Sequence, residues 1–187
     1  GRALRLSTAA EAGFRGMRQH SHADYREAVT SSEHQMLPQQ QQIHPTAVLE
    51  PGVKLGAGVC IGPYCVVGSD VVLGDGVQLD SHVRVAGHTV VGAGSIVHAF
   101  ATLGATPQDL KYAGEASNLV IGERCRIAEY ALISGGTAAG GGITSLGDGC
   151  FVMSHCHVAH DCALGHGVLL ASSAALAGHV HVGDGAR

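Results

Sequence analysis

The sequence predicts an all-β protein, a parallel β-helix in which short strands wind around a three-sided prism. An aliphatic residue returns at every sixth position from Ile43 onward. Glycine follows many of these aliphatic residues directly, and 28 of the 187 residues are glycine. Only 4% of the residues are aromatic and tryptophan is absent, which excludes a core built from large rings. A fixed six-residue period is typical of stacked β-helical coils.

The aliphatic series runs through most of residues 43–187. Its members are Ile43, Leu49, Leu55, Ile61, Val67, Leu73, Leu79, Val85, Val91, Val97, Leu103, Ile121, Ile127, Ile133, Leu146, Val152, Val158, Leu164, Leu170, Leu176 and Val182. Each six-residue unit should form a short strand and a turn, and three units should complete one coil. Coils stack at about 4.8 Å, the spacing of paired strands, so each coil buries its aliphatic residues on the next. Glycine, asparagine and aspartate should supply the unusual dihedral angles of the corners.

Residues 1–42 do not share this repeat. They are rich in arginine and serine, contain no lysine, and end in the run QMLPQQQQ. Two interpretations stay open, a disordered extension or an organelle presequence. We therefore expect an extension at 1–42 followed by a β-helix at 43–187. A cytoplasmic location is expected, with a mitochondrial one as the alternative if the extension is a presequence.

Charge and cysteine content exclude several classes of protein. The formal charge of −4 offers no basic surface for nucleic acid, and no apolar run approaches the ~18 residues that a membrane-spanning helix requires. Five of the six cysteines take the small inward position four residues after an aliphatic residue, where thiols act as packing groups. They are Cys65, Cys125, Cys150, Cys156 and Cys162. Reduced thiols, and hence a reducing compartment, are predicted.

Two segments interrupt the repeat. Between Leu103 and Ile121 the period is lost, and that segment should leave the wall of the helix while keeping the register. Between Ile133 and Leu146 lies the run GGTAAGGGITS, whose glycines favour a close approach to another chain or a ligand. Loops carried by a rigid scaffold often hold the functional residues.

The stretch FVMSHCHVAHDC at residues 151–162 combines three histidines with an aspartate. Counting by six places His160 and His179 on outward positions of one face in adjacent coils, with Cα atoms roughly 6 Å apart. His157 should lie around the corner, at the end of the preceding unit. Pairing of His160 with Asp161 requires a bend, because neighbours on a strand point to opposite sides. A histidine beside an acid suits general-base chemistry near neutral pH.

Several strings together resemble one family. They are HCHVAHDC (155–162), LAGH (176–179), QDLKYAGE (108–115), GGGIT (140–144), IHPTAVLEPGVKLGAGVCIGPYCVVG (43–68) and LDSHVRVAGHT (79–89). The family they resemble is the UDP-N-acetylglucosamine O-acyltransferases of lipid A biosynthesis. QDLKYAGE is the most specific string, since the hexapeptide repeat alone occurs in many transferases. The resemblance implies a left-handed β-helix, although right-handed crossovers are the general rule, and a homotrimer with clefts between subunits.

The resemblance also implies a reaction and the residues that perform it. The reaction is transfer of an (R)-3-hydroxyacyl group from acyl carrier protein to the 3-hydroxyl of UDP-N-acetylglucosamine. His160 is implied as general base, Asp161 as the acid that orients it, and the Gly178 N–H as donor to the oxyanion. Substrate contacts are implied for Gln108, Asp109, Lys111, His157 and His179. No metal or other cofactor is expected, apart from the phosphopantetheine thioester of the donor.

The sequence departs from the family in two places. The family usually has His-Arg before Gly-Thr, whereas this chain has Ser134 and Gly135, so a contact in the cleft should be lost. The family also continues past the position of Arg187 with further coils and a helical domain that meets acyl carrier protein. The resemblance therefore implies a truncated β-helix of reduced stability.

Two other functions stay open at this stage. One is a non-catalytic trimeric scaffold of the same fold. The other is a zinc enzyme resembling the γ-carbonic anhydrases, which the spacing of His155 and His160 suggests. Catalytic zinc needs three protein ligands, and the two positions that could supply the third hold Leu119 and Arg124.

Overall fold

The computed structural model describes residues 41–187, which form a parallel β-helix with three sheets. The first strand begins at Gln42. The two interpretations of residues 1–42 fall almost entirely outside the described residues, and the boundary between extension and β-helix stays a prediction. Among residues 41–187, no helix has both the length and the apolar character needed to cross a bilayer.

Each sheet contains seven strands, one from each successive coil. Sheet A consists of β1 (Gln42–Ile43), β4 (Cys60–Ile61), β7 (Gln78–Leu79), β10 (Ile96–Val97), β13 (Arg126–Ile127), β16 (Phe151–Val152) and β19 (Leu169–Leu170). Sheet B consists of β2 (Val48–Leu49), β5 (Val66–Val67), β8 (Arg84–Val85), β11 (Thr102–Ala105), β14 (Leu132–Ser134), β17 (His157–Val158) and β20 (Ala175–Leu176). Sheet C consists of β3 (Lys54–Leu55), β6 (Val72–Leu73), β9 (His88–Val91), β12 (Asn118–Ile121), β15 (Ile143–Leu146), β18 (Ala163–Leu164) and β21 (His181–Val182).

The strand register confirms the predicted repeat. Strands of adjacent coils pair in parallel at positions 18 residues apart, as Ile43 does with Ile61 and Val158 with Leu176. In most strands the first residue faces outward and the second faces the interior, because successive side chains of a strand alternate. The small residue that precedes the strand also faces inward. The five cysteines at this position are buried and free, as expected.

Both interruptions of the repeat occur at the corner where the chain passes from sheet B to sheet C, here named the B–C edge. Leu119 pairs with Thr89, 30 residues earlier instead of 18, so a loop at 106–117 leaves the wall between β11 and β12. A second loop, at 135–142, separates β14 from β15 and contains a 3₁₀ helix at Ala138–Gly140. The strands resume their pairing after both loops, and the sequence predicted this for the first one.

The corner between sheets A and B carries a column of aromatic and histidine rings. Six residues there have positive φ, between 58° and 64°: Tyr64, His82, Phe100, Tyr130, His155 and Ser173, of which the first five carry rings. At this corner the expectation that glycine, asparagine or aspartate would provide the dihedrals was wrong. At the corner between sheets C and A it is confirmed, since Gly58, Gly76 and Gly94 have positive φ there. Neighbouring rings lie 4.7–5.0 Å apart between centroids, and stacking of this kind is favourable. We infer that ring stacking offsets the strain of the left-handed backbone in this aromatic ladder.

Replacing Phe100 by alanine should destabilise the β-helix by about 1–3 kcal/mol, because Phe100 stacks on two rings and each such contact contributes about 0.5–1.5 kcal/mol. Its partners are His82, at 4.7 Å, and Tyr130, at 5.0 Å. The matched control is Tyr64→Ala, which removes the end of the ladder and one ring contact at the same backbone conformation. Urea unfolding of both variants tests this. Equal losses of stability would contradict a stabilising ladder.

Candidate active site

Four features of the sequence meet at the B–C edge. The loops at 106–117 and 135–142 leave the wall there in two successive coils. In the next coil the turn between β17 and β18 carries His160 and Asp161. One coil further, the turn between β20 and β21 carries Gly178 and His179. The predicted stacking of His160 and His179 follows from this repetition of one corner.

His160 and Asp161 form a hydrogen-bonded pair. Nδ1 of His160 lies 2.8 Å from Oδ2 of Asp161, and the two side chains are 13% and 1% exposed. The bend that this pairing requires is present, because Asp161 has φ of 60° and lies in a turn. A carboxylate only accepts hydrogen bonds, so Nδ1 carries the proton and Nε2 of a neutral His160 is the basic nitrogen.

Residues on the second loop surround the Asp161 carboxylate. The Thr137 backbone N–H donates to Oδ1 at 2.8 Å, and the Thr137 hydroxyl donates to Oδ2 at 2.6 Å. The Asp161 backbone N–H donates to Oγ1 of Thr144 at 2.8 Å. Burial raises the pKa of the Asp161 carboxyl, but the hydrogen bonds from Thr137 and His160 outweigh it and hold that pKa below its ordinary value. Asp161 is therefore an anion at neutral pH.

Thr137 and Thr144 were not identified from the sequence. Thr144 lies in β15 at the inward position two residues before Leu146, where most other coils have valine or cysteine, and its side chain is fully buried. A polar residue at a position that is otherwise apolar could have indicated the role of Thr144 from the sequence. Thr137 lies in a loop outside the six-residue register, so no such signal existed for it.

His179 lies against the pair from the next coil. Its ring centroid is 5.1 Å from that of His160 with the rings nearly perpendicular, and its backbone N–H donates to the His160 carbonyl at 3.0 Å. Its Nε2 lies 3.9 Å from Oδ2 of Asp161. The His179 side chain is 56% exposed, so it borders the solvent side of the pair and is available to a ligand.

Gly178 is the neighbour of the His160 ring. A Cβ atom at position 178 would lie 2.5 Å from Cε1 and 2.7 Å from Nε2 of His160. Any side chain there would therefore overlap the ring. Within residues 41–187 no acceptor takes the Gly178 N–H, which leaves a free backbone donor beside the basic nitrogen.

His157 is placed differently from its prediction. It belongs to strand β17 together with Val158, and it pairs with Leu132 below and Ala175 above. The prediction put it around the corner because the six-residue unit was taken to begin at the aliphatic residue. Each strand instead begins one residue earlier, so His157 is an outward, half-buried residue of sheet B next to the edge.

The three predicted residues of the first loop lie at the same edge without touching the pair in the described part of the chain. Gln108 and Lys111 are exposed, and Oδ1 of Asp109 accepts the Lys111 N–H at 3.0 Å. The two loops are joined because the side-chain amide of Asn118 donates to the Gly142 carbonyl at 2.8 Å. The assignment of Gln108, Asp109 and Lys111 as substrate contacts stays a prediction.

Ser134 and Gly135, which stand where the family usually has His-Arg, lie in a tightly packed part of the structure. Ser134 is fully buried, and in residues 41–187 neither its hydroxyl nor that of Ser117 has a hydrogen-bond partner. A Cβ atom at position 135 would overlap Oγ of Ser117. Ser117 therefore fills the space into which a side chain at position 135 would project.

Among the described residues, one group could bring three ligand atoms to a metal ion: His160, Asp161 and His179, whose atoms lie within 4.8 Å of one another. The oxygens of Asp161 already accept bonds from Thr137 and from His160. This arrangement is that of an oriented histidine–carboxylate pair. His155, which the zinc hypothesis required, stacks in the aromatic ladder at a different corner.

The chain resembles known proteins along most of the β-helix. Residues 70–105 match the family model described as bacterial transferase hexapeptide (six repeats). The acyl-[acyl-carrier-protein]–UDP-N-acetylglucosamine O-acyltransferase of Burkholderia multivorans is 57% identical over 142 residues, which are 76% of this chain and 54% of that protein. The enzyme of the same name from Verminephrobacter eiseniae is 50% identical over 88 residues, 47% of this chain and 34% of that protein.

Solved structures agree with these sequence relatives. The UDP-N-acetylglucosamine acyltransferase from Campylobacter jejuni superimposes with a TM-score of 0.74 at 44% identity, covering 76% of this chain and 56% of that one. The fold is thus the left-handed parallel β-helix that the resemblance implied. The chain spans about half the length, or less, of the curated relatives described above. Over 76% of its length the chain is therefore similar to UDP-N-acetylglucosamine O-acyltransferases.

Proposed function

We propose that this chain transfers an (R)-3-hydroxyacyl group from acyl carrier protein to the 3-hydroxyl of UDP-N-acetylglucosamine. The observation that carries the proposal is the His160–Asp161 pair beside the free N–H of Gly178. An unactivated sugar hydroxyl needs a base to attack a thioester, and histidine suits that task near neutral pH. The buried carboxylate orients the imidazole and stabilises its protonated form.

The geometry supports a direct transfer. Nε2 of His160 accepts the proton of the sugar hydroxyl while the hydroxyl oxygen bonds to the thioester carbonyl carbon. The Gly178 N–H donates to the oxyanion that forms, as backbone donors do in acyl transfer. The intermediate then collapses, the carbon–sulfur bond breaks, and the protonated His160 returns its proton to the leaving thiolate. No metal ion or further cofactor takes part in this scheme.

Substrate contacts complete the proposal. His179 and His157 border the reacting centre and contact the sugar nucleotide or the acyl arm. Gln108, Asp109 and Lys111 reach substrate from the first loop, where the exposed Lys111 ammonium suits the negative diphosphate. This loop does not touch the pair within one chain, so the cleft is completed by a second subunit.

A homotrimer with clefts between subunits supplies that second subunit. Sheets B and C, which flank the B–C edge, expose apolar residues on their outer faces at 36–55%: Val48, Val66, Val90 and Val120. Exposed apolar surface of this kind is frequent at subunit contacts.

We place the trimer in a reducing cytoplasm, which agrees with the free thiols and the bacterial relatives. A mitochondrial location gains no support from those relatives.

Replacing His160 by alanine should reduce acyl transfer by about 10²–10⁴-fold, as for loss of a general base. The assay measures transfer from 3-hydroxyacyl carrier protein to UDP-N-acetylglucosamine. The control is His181→Ala, which removes an exposed histidine on the outer face of sheet C. The unsubstituted chain should remain active after treatment with a metal chelator. Equal activity of the H160A and H181A variants, or no transfer by the unsubstituted chain, would overturn the proposed function.

Replacing Gly178 by alanine should reduce the turnover number by about a hundredfold, because the new methyl group overlaps the His160 ring and displaces it. Gly183→Ala is the matched control, since a Cβ atom at position 183 meets nothing within 4 Å. Circular dichroism of both variants checks that the β-helix is retained. If both variants kept full activity, the basic nitrogen could not lie beside Gly178 during the reaction.

The assembly should have three times the 19.0 kDa mass of one chain, because the active cleft needs residues from two subunits. Sedimentation equilibrium of the active preparation measures this mass. Replacing Val66 by glutamate, on the exposed face of sheet B, should dissociate the trimer and abolish transfer together. A fully active monomer would show that the cleft is complete within one chain.

A further inference from the structure

The second loop makes more contacts with Asp161 than any other segment of the described chain. Thr137 donates to both carboxylate oxygens, from its backbone N–H at 2.8 Å and its hydroxyl at 2.6 Å. Thr137 and Asp161 are 2% and 6% exposed. Two parallel donors on one residue hold the plane of a carboxylate as well as its position.

The two hydrogen bonds from Thr137 fix which oxygen of Asp161 faces His160. Oδ1 accepts from the Thr137 backbone, and Oδ2 is shared between the Thr137 hydroxyl and Nδ1 of His160. Rotation of the carboxylate would break both bonds to Thr137. The Nδ1 proton of His160 therefore always finds Oδ2 in the same place, which keeps Nε2 free to act as a base.

The loop backbone is shaped to bring Thr137 to the carboxylate. The Thr137 carbonyl accepts the N–H groups of Gly140, at 3.0 Å, and Gly142, at 2.7 Å, so the loop closes on itself. Thr137 also caps the short 3₁₀ helix, because its hydroxyl accepts the Gly140 N–H at 3.3 Å. A Cβ atom at position 140 would overlap the Asp161 carboxylate. Glycine at 140 therefore permits the approach.

We propose that Thr137 is a positioning residue that acts through Asp161, holding the carboxylate in the orientation in which it accepts the Nδ1 proton of His160. This proposal deepens the proposed function, and its kinetic part rests on that function. Among the described residues, Thr137 bonds Asp161 and makes no hydrogen bond to His160. The glycine-rich loop thus contributes to the site by its contact with the acid.

The test compares Thr137→Val, which removes the hydroxyl at nearly constant shape, with Thr137→Ser, which keeps it. Loss of one hydrogen bond to a charged group should reduce the turnover number of T137V by about ten- to a hundredfold. The KM for the sugar nucleotide should stay unchanged, because Thr137 is only 2% exposed. T137S should restore most of the turnover number. Circular dichroism checks the fold of each variant.

A second readout does not depend on activity. Nitrogen-15 NMR of the histidine rings, with His160 assigned from the H160A spectrum, reports which ring nitrogen carries the proton. The unsubstituted chain and T137S should show His160 protonated at Nδ1 in its neutral form, and T137V should show a mixture of tautomers. Gly140→Ala should give the same mixture as T137V, because it displaces the carboxylate from the other side, whereas Gly183→Ala should not.

A third readout uses pH. The groups that face Asp161 are His160, His179 and the thiol of Cys162. A carboxyl whose pKa is lowered in the folded state adds stability above its unfolded pKa, and this stability is lost as the pH falls through the folded value. The difference in melting temperature between T137V and the unsubstituted chain should therefore be largest at neutral pH and shrink as the pH falls below the ordinary pKa of an aspartate carboxyl.

The outcomes separate the two proposals. An inactive unsubstituted chain would overturn the proposed function, while the NMR spectra would still decide the role of Thr137. T137V with unchanged turnover and an unchanged His160 tautomer would overturn the positioning role. So would a loss of melting temperature that is the same at neutral and acidic pH, because that result indicates packing alone.

Discussion

The whole site depends on the backbone pairing of residues 18 positions apart in successive coils. This pairing repeats each corner of the prism directly above the previous one, so a side chain at one corner meets its counterpart at a spacing of about 4.8 Å. His160 and His179 lie together for this reason, with their ring centroids 5.1 Å apart. The apolar interior makes the register costly to change, because a one-residue slip would turn each aliphatic residue to the outside.

Much of this arrangement could be predicted by counting, because the period is constant wherever the chain stays in the wall. The three sheets, the inward cysteines and the closeness of His160 to His179 all follow from position in the repeat. The assignment of His157 was wrong by one residue, since the aliphatic residue is the second of its strand and not the first. The reaction itself came from resemblance, not from the period.

The remainder could not be predicted because it lies outside the repeat. Thr137 reaches Asp161 through a loop whose path depends on contacts with the wall, and no periodicity describes such a path. The aromatic ladder was missed for a different reason. Left-handed corners favour glycine by local sterics, and only the stacking between coils makes tyrosine, phenylalanine and histidine acceptable there. In both cases tertiary contacts override the local preference.

The B–C edge tolerates insertions of different length without any change of register, since β12 still pairs with β9 across the 106–117 loop. Lengthening a closed loop adds only slowly to its entropic cost, about 0.6 kcal/mol for each doubling. Loop length and sequence can thus change at this corner while the His160–Asp161 pair and the core keep their places. A β-helix of this kind keeps its wall constant and admits variation at one corner, where a change of loop does not disturb the fold.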